Sequence, residues 1–273
     1  MTDLLIHSMS EFSSLIMPCL DEAKVTSISE IGSEFGGMSR LLAERCEAQG
    51  GVLTCIDPAP ADGFAQWASS CAHVDHRAQP SLDALAQCEA ADAWFVDGDH
   101  NYYTVYNELV AIDAIQRNAG KPLLAFLHDV SWPCARRDFY YAPERIPPGW
   151  RHPHSYDAGV KLDSGAALPE RGLRGMGNFA VALQAGGERN GVLTAVEDFL
   201  KEADTDDRPL YYVHVPAVLG LGVIFDTQAE WSGALAESLL PYHANPLIAR
   251  LEENRLRNYL EVIEWQDRTQ LAF

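Results

Sequence analysis

The sequence predicts an α/β fold: a doubly wound, seven-stranded, mostly parallel sheet closed by an antiparallel hairpin, with flanking helices and one long insertion. Three observations predict it. Short apolar runs alternate with amphipathic stretches from Val25 to Leu127, the pattern of parallel strands joined by right-handed crossovers. Several of these runs stop on polar residues, namely Asp57, Asp97 and the pair His128-Asp129. Two later apolar runs, Leu210 to Val215 and Leu221 to Phe225, are joined by a link short enough for a hairpin.

Taken in order, residues 1–24 form an expected N-terminal helical flank, because Leu4, Leu5, Met9, Phe12 and Ile16 recur at helical spacing. Val25 to Ile31 reads as a buried strand. Gly32, Gly36 and Gly37 follow it, then a helix from Met38 to Gln49 that Gly50-Gly51 closes. Val52 to Ile56 is the second strand. Helices near 63–71 and 81–88 bracket a strand at 72–77, a further strand runs from Ala93 to Val96, and a helix follows Asn101 as far as Ala119. The strand Pro122 to Leu127 completes a core over residues 25–130. From Ser131 to Asn190 the periodicity fails amid Pro133, Pro143, Pro147, Pro148, Pro153 and Pro169, so 131–190 is expected to be an irregular, substrate-covering insertion. A helix from Gly191 to Lys201 and the hairpin finish the sheet over 191–228. Residues 229–273 are a C-terminal helical segment whose stripe, Leu251, Leu256, Tyr259, Leu260 and Ile263, suits core packing or a homodimer contact.

Composition narrows the function. With 47% apolar residues in 273, the chain has an ordinary globular core, and its net charge of −19 excludes a general nucleic-acid or anionic-membrane binder. No run of apolar residues is long enough to span a bilayer, and Met1 to Ser10 lacks the pattern of a signal peptide, so a cytoplasmic protein is expected. Six cysteines (Cys19, Cys46, Cys55, Cys71, Cys88 and Cys134) show neither a CxxC pair nor knuckle spacing and read as buried thiols. Eight basic residues against six acids make 131–190 a local positive island, 8 − 6 = +2, within an acidic chain.

The strongest motif is Glu30-Ile31-Gly32-Ser33-Glu34-Phe35-Gly36-Gly37-Met38-Ser39, a glycine turn between strand and helix, with Asp57 ending the next strand. Glycines let backbone approach a ligand closely, and an acid at the second strand's tip can accept both hydroxyls of a ribose. Dinucleotide sites use a tighter spacing and seat a pyrophosphate on the helix. Here the spacing is wider and Glu30 precedes the first glycine, which suits a ligand with an amino group and no phosphate.

These residues resemble motif I and the ribose acid of class I S-adenosylmethionine-dependent methyltransferases, on a Rossmann-like sheet. Phe95-Val96-Asp97-Gly98-Asp99-His100-Asn101-Tyr102, followed by Leu127-His128-Asp129-Val130, is similar to the branch with catechol-type, macrocin-type and cephalosporin-related O-methyltransferases. The resemblance covers about Val25 to Val130, and the hairpin more loosely. It implies S-adenosylmethionine as cofactor and O-methylation of a small molecule. It also implies that Glu30, Gly32 and Gly36 shape the methionine end of the pocket, with Ser33, Gly37 and Ser39 in the same turn, and that Asp57 binds the ribose. Where the family has an acid or serine for the adenine, this chain has Gln79, whose amide is the substitute; Asp97 completes the cofactor set.

Catechol-type members hold a divalent metal with an acid and an acid-amide pair. The resemblance makes Asp97, His128 and Asp129 the candidate ligands for magnesium or another divalent ion, although an imidazole departs from an all-oxygen magnesium site. In the other reading the aspartates cap loops and His128 makes a structural hydrogen bond. Methyl transfer to oxygen needs the acceptor hydroxyl deprotonated or polarised. His100 is the first candidate for that base, Asp97 and His128 complete the catalytic set, and His152 and His154 rank second. Arg136 and Arg137 lie among aromatics between Trp132 and Tyr141, where their forks suit a carboxylated, phosphorylated or glycosylated substrate; otherwise they pair with Asp138 and Glu144. Rival classes are a metal-dependent enzyme such as a hydroxylase on this scaffold, a non-methylating S-adenosylmethionine-binding protein, and a nicotinamide oxidoreductase. The last is disfavoured by the glycine spacing and by the absence of lysine after Tyr102 to Tyr106.

Overall fold

The computed structural model describes residues 8–206 and 208–270. Leu4 and Leu5 of the expected flank lie outside the described residues, as do residues 271–273. What is described of the flank starts as a 3₁₀ turn, Met9–Phe12, because the Ser8 side chain caps it by accepting from the Ser10 amide, and continues as α1 (Ser13–Glu22). The core then alternates as expected: β1 (Ser27–Ile31), α2 (Gly37–Gln49), β2 (Val52–Ile56), α3 (Phe64–Ser70), β3 (Val74–Arg77), α4 (Ser81–Leu85), β4 (Ala93–Val96), α5 (Tyr102–Ala119) and β5 (Leu124–His128). The helix expected over 81–88 stops at Leu85, where the amides of Gln87 and Cys88 turn back to Ala84 and Leu85.

The insertion is not irregular throughout. It holds six short strands, β6 (Phe139–Tyr140), β7 (His154–Ser155), β8 (Ala158–Val160), β9 (Leu168–Pro169), β10 (Leu173–Arg174) and β11 (Ala180–Ala182). They form two three-stranded sheets, β6-β11-β7 and β10-β8-β9. Strands of two or three residues are too short for an alternation to register in sequence. Then come α6 (Val192–Thr205), the hairpin β12 (Leu210–Val215) and β13 (Leu221–Asp226), α7 (Ser232–Leu239) and α8 (Pro246–Gln270).

The main sheet has the order β12-β13-β5-β4-β1-β2-β3, in which only β13 runs against its neighbours. Its central strands β4, β5 and β13 are buried on both faces, which is why they read as nearly unbroken apolar runs. Ile28, Phe95 and Phe126 point into one core with α1 and α2, and Trp94, Ala125 and Leu127 into the other with α5 and α6. All five parallel-register strands therefore deliver their carboxyl ends to one edge, where β1, β2, β4 and β5 end on the polar residues of the motif.

Asp138 fastens the insertion to that edge. Its buried carboxylate accepts the Tyr102 amide at 2.7 Å, the Gly191 amide at 2.7 Å and the Tyr140 hydroxyl at 2.8 Å. Two of those donors sit at the starts of α5 and α6, where unpaired amides and the helix dipole favour a negative charge. On its other side the insertion is tied to α8 by Arg174–Asp267 at 2.6 Å, Arg257–Asp163 at 2.6 Å and Lys161–Glu264. The C-terminal stripe divides accordingly: Leu256 is buried, whereas Leu251 is exposed.

Candidate active site

The glycine turn is built over Glu30. This side chain is 2% exposed, and its Oε2 accepts from Ser39 Oγ at 2.5 Å, Ser33 Oγ at 3.3 Å and Cys55 Sγ at 3.4 Å. Burial pushes its pKa up to about 7, against the pull of those three donors. Glu30 thus lies beneath the turn and braces it, tying β1 to β2 and to the first turn of α2. Gly32 is required by a close approach: at φ +85°, a Cβ there would stand 2.1 Å from the Asp97 carbonyl oxygen. Gly36, also at positive φ, abuts the Phe64 ring, and Gly37 opens α2 beside Ser8 and Ser10.

Asp57 is where the sequence puts it, at the tip of β2. Its Oδ2 accepts the amides of Ser33 at 2.9 Å and Glu34 at 3.1 Å, and its Oδ1 that of Ala59 at 2.8 Å. The acid and the turn are therefore one unit, with three of a carboxylate's roughly four acceptor sites in use. Gln79 is exposed on the turn that follows β3, at the same edge.

β4 and β5 are parallel neighbours, and their ends bring the second motif together. His128 Nδ1 lies 3.1 Å from Asp97 Oδ1 and 3.2 Å from Asp129 Oδ2. His100 Nε2 lies 3.2 Å from the same Asp129 oxygen. The result is a chain of alternating groups, His100, Asp129, His128, Asp97. Asp129 reaches both histidines because its backbone turns at φ +63°, a conformation uncommon outside glycine and often found where function imposes it. Burial opposes a charge on His128, but Asp97 and Asp129 outweigh it and raise its pKa well above the ordinary histidine value. Burial would raise Asp129, yet His100 and His128 hold its carboxyl well below the usual range. His128, Asp129 and Cys134 are all nearly sealed, at 3%, 2% and 2% exposed. The His100 side chain, 20% exposed, is the cluster's open end, with Tyr141 edge-on at 5.4 Å.

Other candidates fall elsewhere. His152 Nε2 meets the Arg189 carbonyl and His154 Nδ1 the His152 carbonyl, both inside the insertion's own framework. Arg136 forms a bidentate pair with Glu197 on α6 at 2.6 Å, and Arg137 is buried against the carbonyls of Ala182, Ser164 and Gly165. Neither pairs with Asp138 or Glu144. The positive island is answered by acids from α6 and α8, which lie outside the segment counted. Two side chains that the sequence reading passed over do join the site. The Phe12 ring stands edge-on to His128 at 6.0 Å, and Cys134 brings its thiol to His100 and Asp129, with the donor atoms of all three within 4.8 Å of one another. Burial, then the Asp129 charge, raises the Cys134 pKa well above the ordinary thiol value.

The donor atoms of Asp97, His128 and Asp129 are also within 4.8 Å of one another. This trio does not fit magnesium. His128 Nδ1 has an aligned hydrogen-bond partner in Asp97 while its buried Nε2 has none, an imidazole is a poorer magnesium ligand than an oxygen, and two of the three members are sealed, leaving little edge for the waters that magnesium keeps.

A family model described as "Methyltransferase domain" matches residues 29–130. No curated protein matches the sequence. Among solved structures, the S-adenosylhomocysteine-bound methyltransferase PaMTH1 of Podospora anserina is 16% identical, over 80% of this chain and 79% of that one, with a TM-score of 0.47. Cofactor-bound Rv0187 from MTB is 15% identical over 82% and 83%, at 0.45. The 1,6-didemethyltoxoflavin-N1-methyltransferase of Burkholderia thailandensis is 14% identical over 78% and 76%, at 0.41. At these scores the structural likenesses carry no argument. The family match does: residues 29–130, which hold the glycine turn, Asp57 and the strand ends Asp97 and His128-Asp129, are similar to a methyltransferase domain.

Proposed function

We propose that this enzyme methylates an oxygen of a small molecule, with His100 as general base. The observation that carries the reading is the contact of His100 with Asp129 at the open end of a buried His-Asp chain, next to the glycine turn. In the tautomer with Nε2–H facing Asp129, the His100 Nδ1 lone pair is left to take the acceptor's proton. Asp129 orients that ring and stabilises the imidazolium formed. His128, fixed between Asp97 and Asp129, keeps Asp129 in place. S-adenosylmethionine, when bound, supplies a methyl group on a positively charged sulfur. The residues that would hold it are the turn Gly32, Ser33, Gly36, Gly37 and Ser39 braced by Glu30 at the methionine end, Asp57 at the ribose and Gln79 at the adenine. Asp97 would close the pocket.

Residues 131–190 would cover the acceptor, since Asp138 pins them over the starts of α5 and α6. An anionic acceptor would have to be met by arginines other than Arg136 and Arg137, which are engaged elsewhere. A homodimer would use the exposed leucines Leu240, Leu247 and Leu251, and sedimentation checks it. Among the described residues no helix is long and apolar enough to cross a membrane. Calorimetry tests the cofactor: binding of S-adenosylmethionine and not of NAD is expected, and failure to bind the former sinks the reading. Mass spectrometry of ligand carried through purification would identify the acceptor.

A further inference from the structure

His100, Asp129 and Cys134 come from three different places: the turn after β4, the end of β5 and the first turn of the insertion. Their donor atoms, an imidazole nitrogen, a carboxylate oxygen and a thiol sulfur, all lie within 4.8 Å of one another. In a tetrahedral zinc site with bonds of about 2.0–2.3 Å, neighbouring ligand atoms stand roughly 3.3–3.8 Å apart, so a contraction of about 1.5 Å at most suffices. A second observation points the same way. Asp129, 2% exposed, already gathers the other donors: its Oδ2 stands 3.2 Å from both His100 Nε2 and His128 Nδ1, and the Cys134 thiol hydrogen-bonds to its carboxylate, so His100 and Cys134 converge on one sealed anion. Among these three residues only His100 has an appreciable face open, which leaves a fourth position on the side of the acceptor.

We infer that His100, Asp129 and Cys134 form a site for a thiophilic divalent ion of the zinc type, and that filling it silences the base. The donor set selects the ion: sulfur and nitrogen with one carboxylate suit zinc or cobalt and not magnesium or calcium. Loading is balanced by protons. The Cys134 thiol gives one proton to solvent as its thiolate binds, and the His100 proton moves from Nε2 to Nδ1 as Nε2 becomes a ligand, so Nδ1 can no longer accept from an acceptor hydroxyl. This consequence for turnover rests on the proposed role of His100; the binding itself does not.

The test is a titration of the full chain, stripped with a chelator, with cobalt(II) and then zinc. Cobalt is expected to give a near-ultraviolet thiolate charge-transfer band at one equivalent, which zinc abolishes by displacement. Cys134→Ser, with S-adenosylmethionine binding retained as the control for folding, is expected to lose the band and to bind zinc at least about 100-fold more weakly, beyond the loss an outer-shell partner causes. Absence of the band in the unaltered chain, or its survival in the variant, overturns the proposal. If Cys134→Ser does not fold, His100→Ala replaces it: weaker zinc binding supports the site and unchanged affinity overturns it. A chain that shows the band yet transfers no methyl group would overturn the proposed function and leave the metal site standing.

Discussion

The two edges of the main sheet carry clusters of similar make-up and opposite character. At the amino end of β5, Asp113 on α5 meets Arg117 at 2.6 Å and Arg208 at 3.0 Å, and Arg208 also meets Asp226 at 2.8 Å. A cavity of about 600 Å³ opens there, lined by Arg117, Lys121, Arg208 and Trp231, but Lys121 too is paired, with Asp92 at 2.9 Å. At the carboxyl edge the partners of Asp97 and Asp129 are histidines. A guanidinium stays charged at any working pH, so the amino-edge network is fixed in one state and can only stabilise. An imidazole can gain or lose a proton, so the carboxyl-edge network can do chemistry. Residue type, more than the number of ion pairs, separates a staple from a site.

Variants can break or sharpen that contrast. The largest effect is expected at the carboxyl edge from Gly32→Ala, where positive φ and a Cβ 2.1 Å from backbone oxygen both resist the change. A loss on the order of 3 kcal/mol, seen in denaturant melts, and loss of S-adenosylmethionine binding are expected. His100→Ala should lower kcat by roughly 100-fold or more while the cofactor's Kd stays within a few-fold; unchanged turnover would remove the base. Asp113→Ala is the amino-edge counterpart. It removes the acid shared by Arg117 and Arg208, leaving Arg208 only Asp226, and should cost about 2 kcal/mol in Tm-based stability, with kcat unaltered; a fall in kcat at full folding would blur the distinction between the edges.

A smaller, pH-dependent effect isolates burial from chemistry. Glu108 on α5 is fully buried, and burial, against the pull of the Ser81 hydroxyl, raises its pKa to about 8. Because the folded value is raised, its contribution to stability is fully present below the unfolded value, near 4.5, and is lost as pH rises through about 8. Glu108→Gln should flatten the stability profile over that window and raise Tm at its alkaline end. A slope identical to that of the parent would assign the effect to another group. The smallest change is expected from Arg136→Ala: its pair with Glu197 is about half exposed, so at most about 1 kcal/mol is lost and KM is unaffected. A large rise in KM would restore Arg136 as an acceptor-binding residue.

Much of the site was legible in the sequence because buried parallel strands read as apolar runs that end abruptly. Asp57, Asp97 and His128-Asp129 stand out for that reason, and the glycines between them mark where backbone crowds backbone. Legibility ended where partners are distant along the chain. Arg136 looked like an anion fork until Glu197 claimed it. Cys134 looked like one more buried thiol, since nothing local says that the first turn of the insertion comes back to His100. Glu30 reads as a ligand for an amino group, but Ser33, Ser39 and Cys55 close over it.

By itself the sequence determined the alternating core, the order of its strand-end acids and the antiparallel close, because helix and strand periodicities are local and survive in a linear text. Only the tertiary structure decided which charges are spent on one another, that Asp138 anchors an insertion made of two small sheets, and that His100, Asp129, His128 and Asp97 form one continuous chain. Those outcomes depend on distances across the fold and on burial, which set hydrogen bonding and pKa together and which no short window of residues contains.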